Sequence, residues 1–148
     1  MSNIPSSKRE LILATAKALF IEKGFRGTTI ASIAEDAGIA KGSVYSYFTG
    51  KLDIVKALFI QTDEKSQQAV NNLLTKNQTT GSELLEQYLI CEFQEVLNER
   101  SFIQMFLTDE SIVMDTDIMA VLKECRINYH LSQQKVLIKA YGDSITPW

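Results

Sequence analysis

Residues 28–51, TTIASIAEDAGIAKGSVYSYFTGK, decide the fold that this sequence predicts. Ile30 and Ile33 recur at helical spacing after Thr29, whose hydroxyl is of the type that caps the first free amides of a helix. Gly38 then ends this helix, because glycine adopts a left-handed conformation without a Cβ clash. The pattern predicts a short helix followed by a tight turn.

A second short helix is predicted from about Lys41 to Tyr47, with Val44 and Phe48 facing inward. Ala34 in the preceding helix is small, so the two helices can approach closely. A helix-turn-helix needs a small residue in its first helix, a glycine in the turn and apolar anchors on both sides. The stretch therefore predicts a helix-turn-helix, with an ordinary αα-hairpin inside a core as the alternative.

Residues 7–23 predict a further helix that precedes this pair. Ser7 and Glu10 form a capping-box pattern at its start, and Gly24 stops it. We expect this helix to brace the helix-turn-helix, so that the three helices share a small core. The predicted members of that core are Phe20, Phe25, Ile33, Val44 and Phe48.

The charge of the 148-residue chain is unevenly distributed. Residues 1–51 carry seven Lys/Arg and four Asp/Glu, a net charge of +3, whereas residues 52–148 carry eight and fourteen, a net charge of −6. A basic end on an acidic body is typical of a nucleic-acid-binding module attached to a regulatory or assembly domain. We therefore expect two domains, over residues 1–50 and 51–148.

Composition narrows the class of protein further. No apolar run reaches the roughly 18 residues of a membrane span, and the N-terminus lacks the apolar region of a signal peptide, which predicts a cytoplasmic protein without a membrane partner. Cys91 and Cys125 lack metal-site spacing and are expected to be reduced thiols. His130 is the only histidine, which excludes a histidine-cluster metal site. Neither a metal nor a cofactor is expected.

The rest of the chain has helical periodicity without strand-like alternation, so the predicted fold class is all-α. A polar loop is predicted at residues 75–82, and Asn98 to Ser101 are expected to interrupt the helices that follow. The predicted helices are 51 to beyond 60, 83–98, 102–107 and 116–140.

Residues 8–58 closely resemble the TetR-type transcriptional regulators, most specifically in the run Gly-Ser-Val-Tyr-x-Tyr-Phe-x-x-Lys that ends at Lys51. One departure is Ala40, where this family often has a capping residue, because alanine cannot accept an amide proton of the recognition helix. The other residues that carry the resemblance are Arg9, Ile12, Ala16, Phe20, Gly24, Phe25, Thr28, Thr29, Ile33, Ala34, Ala37, Gly38, Ile39 and Lys41.

A helix-turn-helix of this kind implies contacts to double-stranded DNA. The N-terminal end of a recognition helix enters the major groove, so its outward-facing residues are candidates for base contacts, and their neighbours are candidates for phosphate contacts. The candidates for base contacts are Lys41, Gly42, Ser43 and Tyr45. The candidates for phosphate contacts are Thr28, Thr29, Tyr47 and Lys51, of which the resemblance supports the last three.

The resemblance also implies a helical body that binds a small molecule and forms a homodimer through its last two helices. Members of the family are longer than this chain, so we expect either that the sequence is truncated at its C-terminus or that the dimer is built differently. Aromatic and methionine positions supply the candidate pocket, with plain core as the alternative. They are Tyr88, Cys91, Phe102, Met105, Phe106, Met119, Leu122 and Tyr129.

The leading hypothesis is a DNA-binding transcriptional regulator, and more specifically a repressor that a small apolar or amphipathic ligand releases from a palindromic operator. The alternative is a helical protein-interaction module without sequence-specific DNA binding. An enzyme is not expected, because the sequence contains no catalytic constellation, no phosphate-cradling glycine-rich loop and no metal cluster.

Overall fold

The computed structural model describes residues 7–76 and 79–142, and these residues form helices and no strand. The predicted all-α class is therefore confirmed. The helices are α1 (Lys8–Gly27), α2 (Ile30–Asp36), α3 (Lys41–Tyr45), α4 (Lys51–Lys76), α5 (Gly81–Thr108), α6 (Glu110–Val113) and α7 (Thr116–Tyr141).

Helix α1 begins and breaks where the sequence predicts. The Ser7 hydroxyl accepts a hydrogen bond of 3.2 Å from the backbone amide of Glu10. The backbone leaves the helical region at Gly24, with φ of 73°, and regains it up to Gly27. Only glycine adopts such a φ at little cost, so this residue sets the point at which the chain turns.

The turn between α2 and α3 has the hydrogen bonds of a Schellman motif. The amide of Gly38 donates to the carbonyl of Glu35 at 3.0 Å, and the amide of Ile39 donates to that of Ala34 at 3.0 Å. Gly38 has a φ of 65°, the left-handed conformation that this motif places after the helix. The turn therefore satisfies two of the carbonyls that the end of α2 leaves free.

The predicted core of the three N-terminal helices is confirmed, because each of its five members is buried. The rings of Phe20 and Phe25 lie 5.5 Å apart between centroids, a distance typical of aromatic pairs in protein cores. In the same compact unit, the first part of α4 also buries Ile54, Val55, Ala57 and Leu58.

Two predicted boundaries were wrong, and one short helix was missed. The chain continues as α5 without a break at Asn98 to Ser101, because Phe102, Met105 and Phe106 are buried on the same helix and their packing outweighs a polar turn. Helix α3 ends at Tyr45 rather than at residue 47. The four-residue helix α6, which Asp109 caps, was not predicted.

The chain divides into two compact units. The first contains the described residues up to Leu58 together with Arg100–Met119. Within it, the ammonium of Lys17 lies 5.6 Å from the ring centroid of Phe102, and Arg26 pairs with Asp109 at 3.4 Å. Helix α1 thus contacts the end of α5 and the residue that caps α6.

The second unit contains Phe59–Glu99 and the described residues from Ala120 onward. Asp63 of α4 accepts hydrogen bonds from the amides of Gln67 at 2.7 Å and of Asn128 in α7 at 2.8 Å. The Lys139 ammonium donates to the carbonyl of Leu74. The apolar core of this unit consists of Val70, Leu84, Tyr88 and Val136.

None of the helices in the described ranges combines the length and the apolar character that crossing a membrane requires.

Asp109→Asn is expected to lower the free energy of unfolding by about 1 kcal/mol at neutral pH, because the carboxylate is a stronger acceptor than an amide. Hydrogen bonds from Ser111 and the nearby Arg26 and Lys51 hold the pKa of Asp109 below its usual range. A depressed carboxyl pKa stabilises the fold above the unfolded value and loses this effect as pH falls through the folded value. Thermal unfolding of the parent and of Asp109→Asn should show different midpoints at pH 7 and nearly equal midpoints below pH ~3. A difference that stays the same at both pH values would contradict this role.

Candidate DNA-binding interface

Helix α3, the predicted recognition helix, buries one side chain in the core and leaves its other side chains exposed or half-buried. Val44 is completely buried, whereas Lys41, Gly42 and Tyr45 are exposed and Ser43 is half-buried. Tyr45 retains 52% of its accessible surface, and the Lys41 ammonium lies 6.0 Å from the centroid of its ring. The structure therefore brings together at the surface the residues that the sequence assigns to base contacts.

The first turn of α3 lacks a side-chain cap and contains Gly42. Ala40 provides no side-chain cap, as the sequence predicts, so the first amides of α3 have no side-chain acceptor at the N-cap. A Cβ atom added to Gly42 would meet no other atom within 4 Å, and Gly42 is not at a positive φ. Neither packing nor backbone conformation requires glycine here, and the backbone of α3 is open to approach at this position.

Thr29 lies at the start of α2 with its side chain exposed. Its hydroxyl accepts a hydrogen bond from the amide of Ser32 at 3.0 Å, and the Ser32 hydroxyl accepts one from the amide of Thr29 at 3.1 Å. This reciprocal capping fixes the first turn of α2. A phosphate at this position would meet a hydroxyl and an ordered helix start.

Thr28 does not have the position that a phosphate contact requires, and this prediction is corrected. The side chain is completely buried, and its hydroxyl lies 3.1 Å from the carbonyl of Leu19 and 2.9 Å from that of Gly24. Burial requires a hydrogen-bond partner for the hydroxyl, and the carbonyls where α1 breaks supply it. Thr28 therefore holds the end of α1.

The side chain of Lys51 is also directed into the protein. Its ammonium donates to the carbonyls of Phe25 at 2.6 Å and of Thr28 at 2.7 Å, and lies 4.4 Å from the centroid of the Phe25 ring. Burial lowers the pKa of Lys51, while nearby Asp109 acts in the opposite direction. Lys51 thus connects α4 to the segment before α2, and what it offers a phosphate is its place at the N-terminus of α4.

Tyr47 and Arg9 are two further exposed residues, and both neighbour Phe48. Tyr47 follows α3 and retains 46% of its accessible surface. The guanidinium of Arg9, which is exposed at the start of α1, lies 5.4 Å from the centroid of the Phe48 ring. Arg9 is not among the residues that the sequence assigns to DNA contacts.

The eight candidate pocket residues do not lie in one compact unit. Phe102, Met105, Phe106 and Met119 belong to the first unit, and the other four belong to the second. Met105 lines a cavity of about 370 Å³ together with residues of α1. The members of the second unit are Tyr88, Cys91, Leu122 and Tyr129.

In the second unit, Tyr88 is buried, and the polar side chains of Glu92, Tyr129 and Gln133 lie near its hydroxyl. Burial raises its pKa, and Glu92 and Tyr129 act in the same direction. Burial likewise raises the pKa of Cys91, and raises that of Cys125 to about 11. Both cysteines are free thiols, as predicted, and at neutral pH they are protonated.

Comparison with known proteins identifies the same segment as the sequence did. Residues 12–58 match the family described as bacterial regulatory proteins, tetR family. The chain is 26% identical over 144 residues to the uncharacterized HTH-type transcriptional regulator YuxN of Bacillus subtilis, a match that covers 95% of this chain and 48% of YuxN. It is also 43% identical over 53 residues to the HTH-type transcriptional repressor KstR2 of Mycobacterium tuberculosis, covering 36% of this chain and 26% of KstR2.

Solved structures share the fold. The transcriptional regulator FadR of Bacillus subtilis, in complex with stearoyl-CoA, superposes with a TM-score of 0.68 over 88% of this chain and 69% of FadR, at 24% identity. The chain spans about half the length of YuxN. The helix-turn-helix and the family match agree: residues 12–58 of this chain are similar to the bacterial regulatory proteins of the tetR family, and the solved structure shares the fold.

Proposed function

We propose that this protein is a DNA-binding transcriptional regulator, and that it acts in the cytoplasm as a repressor on a palindromic operator. Residues 1–50 would bind the DNA, and residues 51–148 would form the regulatory body. The observation that carries the proposal is the exposed surface of α3, where Lys41 and Tyr45 flank Gly42, a glycine that the fold itself does not need.

The proposed contacts follow from exposure and chemistry. Lys41 can donate to guanine O6 or N7, and Tyr45 can place its ring against a thymine methyl group. Gly42 permits close approach of the backbone, and Ser43 has a hydroxyl that can bond either kind of base. Thr29, Tyr47 and the N-terminus of α4 are assigned to phosphates, because hydroxyls and helix amides fix the register of a protein on the duplex.

The proposed ligand is a small apolar or amphipathic molecule. Support comes from FadR of Bacillus subtilis, whose structure contains stearoyl-CoA. A ligand that binds one arrangement of the body more tightly shifts the population toward that arrangement and releases the operator. A homodimer is proposed because a palindromic operator has two half-sites, which a two-fold dimer contacts together.

Genomic SELEX with the purified chain, read at two salt concentrations, tests the proposal. We expect an enriched palindrome whose affinity falls steeply with salt, because phosphate contacts release condensed counterions. If the N-terminal head (residues 1–50) served only as a protein-interaction module, the experiment would enrich no DNA sequence and would show no salt-dependent binding to DNA. That outcome would overturn the proposal.

Tyr47→Phe is expected to weaken binding to all sequences by about 1 kcal/mol, because it removes one hydroxyl from a phosphate and leaves the ring in place. Lys41→Ala is expected to relax the preference at one base position by about 1–3 kcal/mol. Binding isotherms on the selected site and its single-base variants measure both effects. Tyr141→Phe is the matched control, because Tyr141 in α7 is also 46% exposed. A changed sequence preference in Tyr47→Phe would contradict the phosphate assignment.

A further inference from the structure

Residues 1–51 contain seven Lys/Arg, and three of these cations contact other parts of the first compact unit. The Lys17 ammonium lies against the ring of Phe102 in α5. Arg26 pairs with Asp109, the cap of α6, and Lys51 donates to two backbone carbonyls before α2. These three charges therefore stabilise the fold, and the attraction for DNA has to come from the other cations.

The Arg9 guanidinium lies beside the helix-turn-helix and is exposed. It is 5.4 Å from the centroid of the Phe48 ring, a distance typical of a cation–π contact. Phe48 is buried, so its ring is a fixed platform for the guanidinium. Among the residues that the structure describes, Arg9 takes part in no ion pair. Its positive charge is thus held in place without being neutralised.

The contact with Phe48 also brings Arg9 to one end of the proposed DNA surface. Phe48 directly follows Tyr47, which is exposed and is assigned to a phosphate. A guanidinium presents five N–H donors in a planar fork, and this fork matches two oxygens of one phosphate. The first turn of α1 therefore places a second phosphate-binding group near Tyr47.

We propose that Arg9 binds a backbone phosphate of the operator, so that α1 takes part in DNA binding together with the helix-turn-helix. The inference rests on the DNA-binding function proposed above and adds a contact to it. Phosphate contacts fix affinity and register and carry no sequence information directly, so Arg9 affects all sequences alike. The contact with Phe48 orients the guanidinium before DNA arrives, which reduces the entropy lost when a long side chain is ordered on binding.

A purely structural role for Arg9 has a different signature. If Arg9 only covered the Phe48 ring, its removal would lower the melting temperature and would leave the salt dependence of DNA binding unchanged. The slope of log affinity against log salt concentration changes by about 0.9 for each phosphate that a protein neutralises on a duplex. The slope therefore reports the phosphate contact separately from stability.

Arg9→Gln tests the contact in binding isotherms of the full 148-residue chain on the selected operator, at a series of salt concentrations. We expect the affinity to fall about 10-fold for every sequence and the salt slope to decrease by about 0.9 per bound copy. Arg9→Lys keeps the charge and should keep the slope, with part of the affinity lost because lysine lacks the fork.

Arg126→Gln is the matched control, because Arg126 is exposed in α7 and its removal changes the net charge by the same amount. It should change neither affinity nor slope appreciably. Circular dichroism confirms that each variant is folded. An unchanged salt slope in a folded Arg9→Gln variant would overturn the inference.

Neutral substitutions in the DNA backbone locate the contact. Each phosphate of the operator is replaced in turn by an uncharged methylphosphonate, and the affinities of the parent and of Arg9→Gln are measured. We expect one position per half-site where the replacement weakens the parent about 10-fold and leaves Arg9→Gln nearly unchanged. If every replacement weakened both proteins equally, Arg9 would contact no phosphate. A parent that binds DNA in that way rejects this contact alone, whereas a parent that binds no DNA rejects the DNA-binding function as well.

Discussion

Lys51→Met is expected to lower the free energy of unfolding by about 3 kcal/mol, the largest loss of stability that we predict for a single substitution at this surface. The ammonium donates to two carbonyls at 2.6 and 2.7 Å and lies over the Phe25 ring. Hydrogen bonds from a charged donor contribute about 1.5–3 kcal/mol each, and half-burial of the side chain reduces their sum. Urea unfolding followed by circular dichroism measures the loss.

Lys56→Met is the matched control for this substitution. Lys56 is also in α4, and its ammonium forms surface ion pairs with Asp53 at 3.9 Å and with Asp117 at 3.4 Å. Such pairs contribute about 0–1 kcal/mol. Equal stability of the two variants would show that the Lys51 ammonium has no structural role. If Lys51→Met kept full stability and lost affinity for every DNA sequence alike, the ammonium would act as a phosphate contact.

Gly42→Leu is expected to reduce DNA affinity by about 100-fold, which corresponds to about 2.7 kcal/mol, while the fold stays intact. Leucine favours a helix over glycine by about 0.5–1 kcal/mol, and the Cβ position is open. The free protein should therefore be as stable as the parent or slightly more stable. The side chain would occupy the space through which the backbone of α3 approaches the groove.

Thermal unfolding and binding isotherms on the selected operator are measured together for this variant. Ala18→Leu, at an exposed position of α1, is the control and should change neither quantity appreciably. An unchanged affinity in Gly42→Leu would mean that α3 does not approach DNA with its first turn. The proposed interface would then have to be abandoned, since Lys41 and Tyr45 flank the same position.

Local chemistry explains how much of the N-terminal head could be predicted from sequence. Gly24 and Gly38 mark the two places where the backbone takes a positive φ within the head, and Ser7 and Thr29 cap the helices that they precede. Each of these signals depends on residues within one turn of each other. The buried residues follow from helical periodicity for the same reason.

The boundaries that sequence reasoning missed depend on distant contacts. Asn98 to Ser101 are polar and interrupt the apolar periodicity, which suggested a break. Burial of Phe102 and Phe106 keeps α5 continuous, because burying a large side chain contributes more than a few tenths of a kcal/mol of propensity.

The sequence by itself determined the helix-turn-helix, its core and the exposed first turn of the recognition helix. Only the tertiary structure decided that Thr28 and Lys51 support the head from within, since each acts on carbonyls far from it in sequence: Leu19 for Thr28, and Phe25 and Thr28 for Lys51. A threonine or a lysine looks the same in a sequence whether its polar atom faces phosphate or a carbonyl. Burial distinguishes the two roles, and burial is a property of the folded chain.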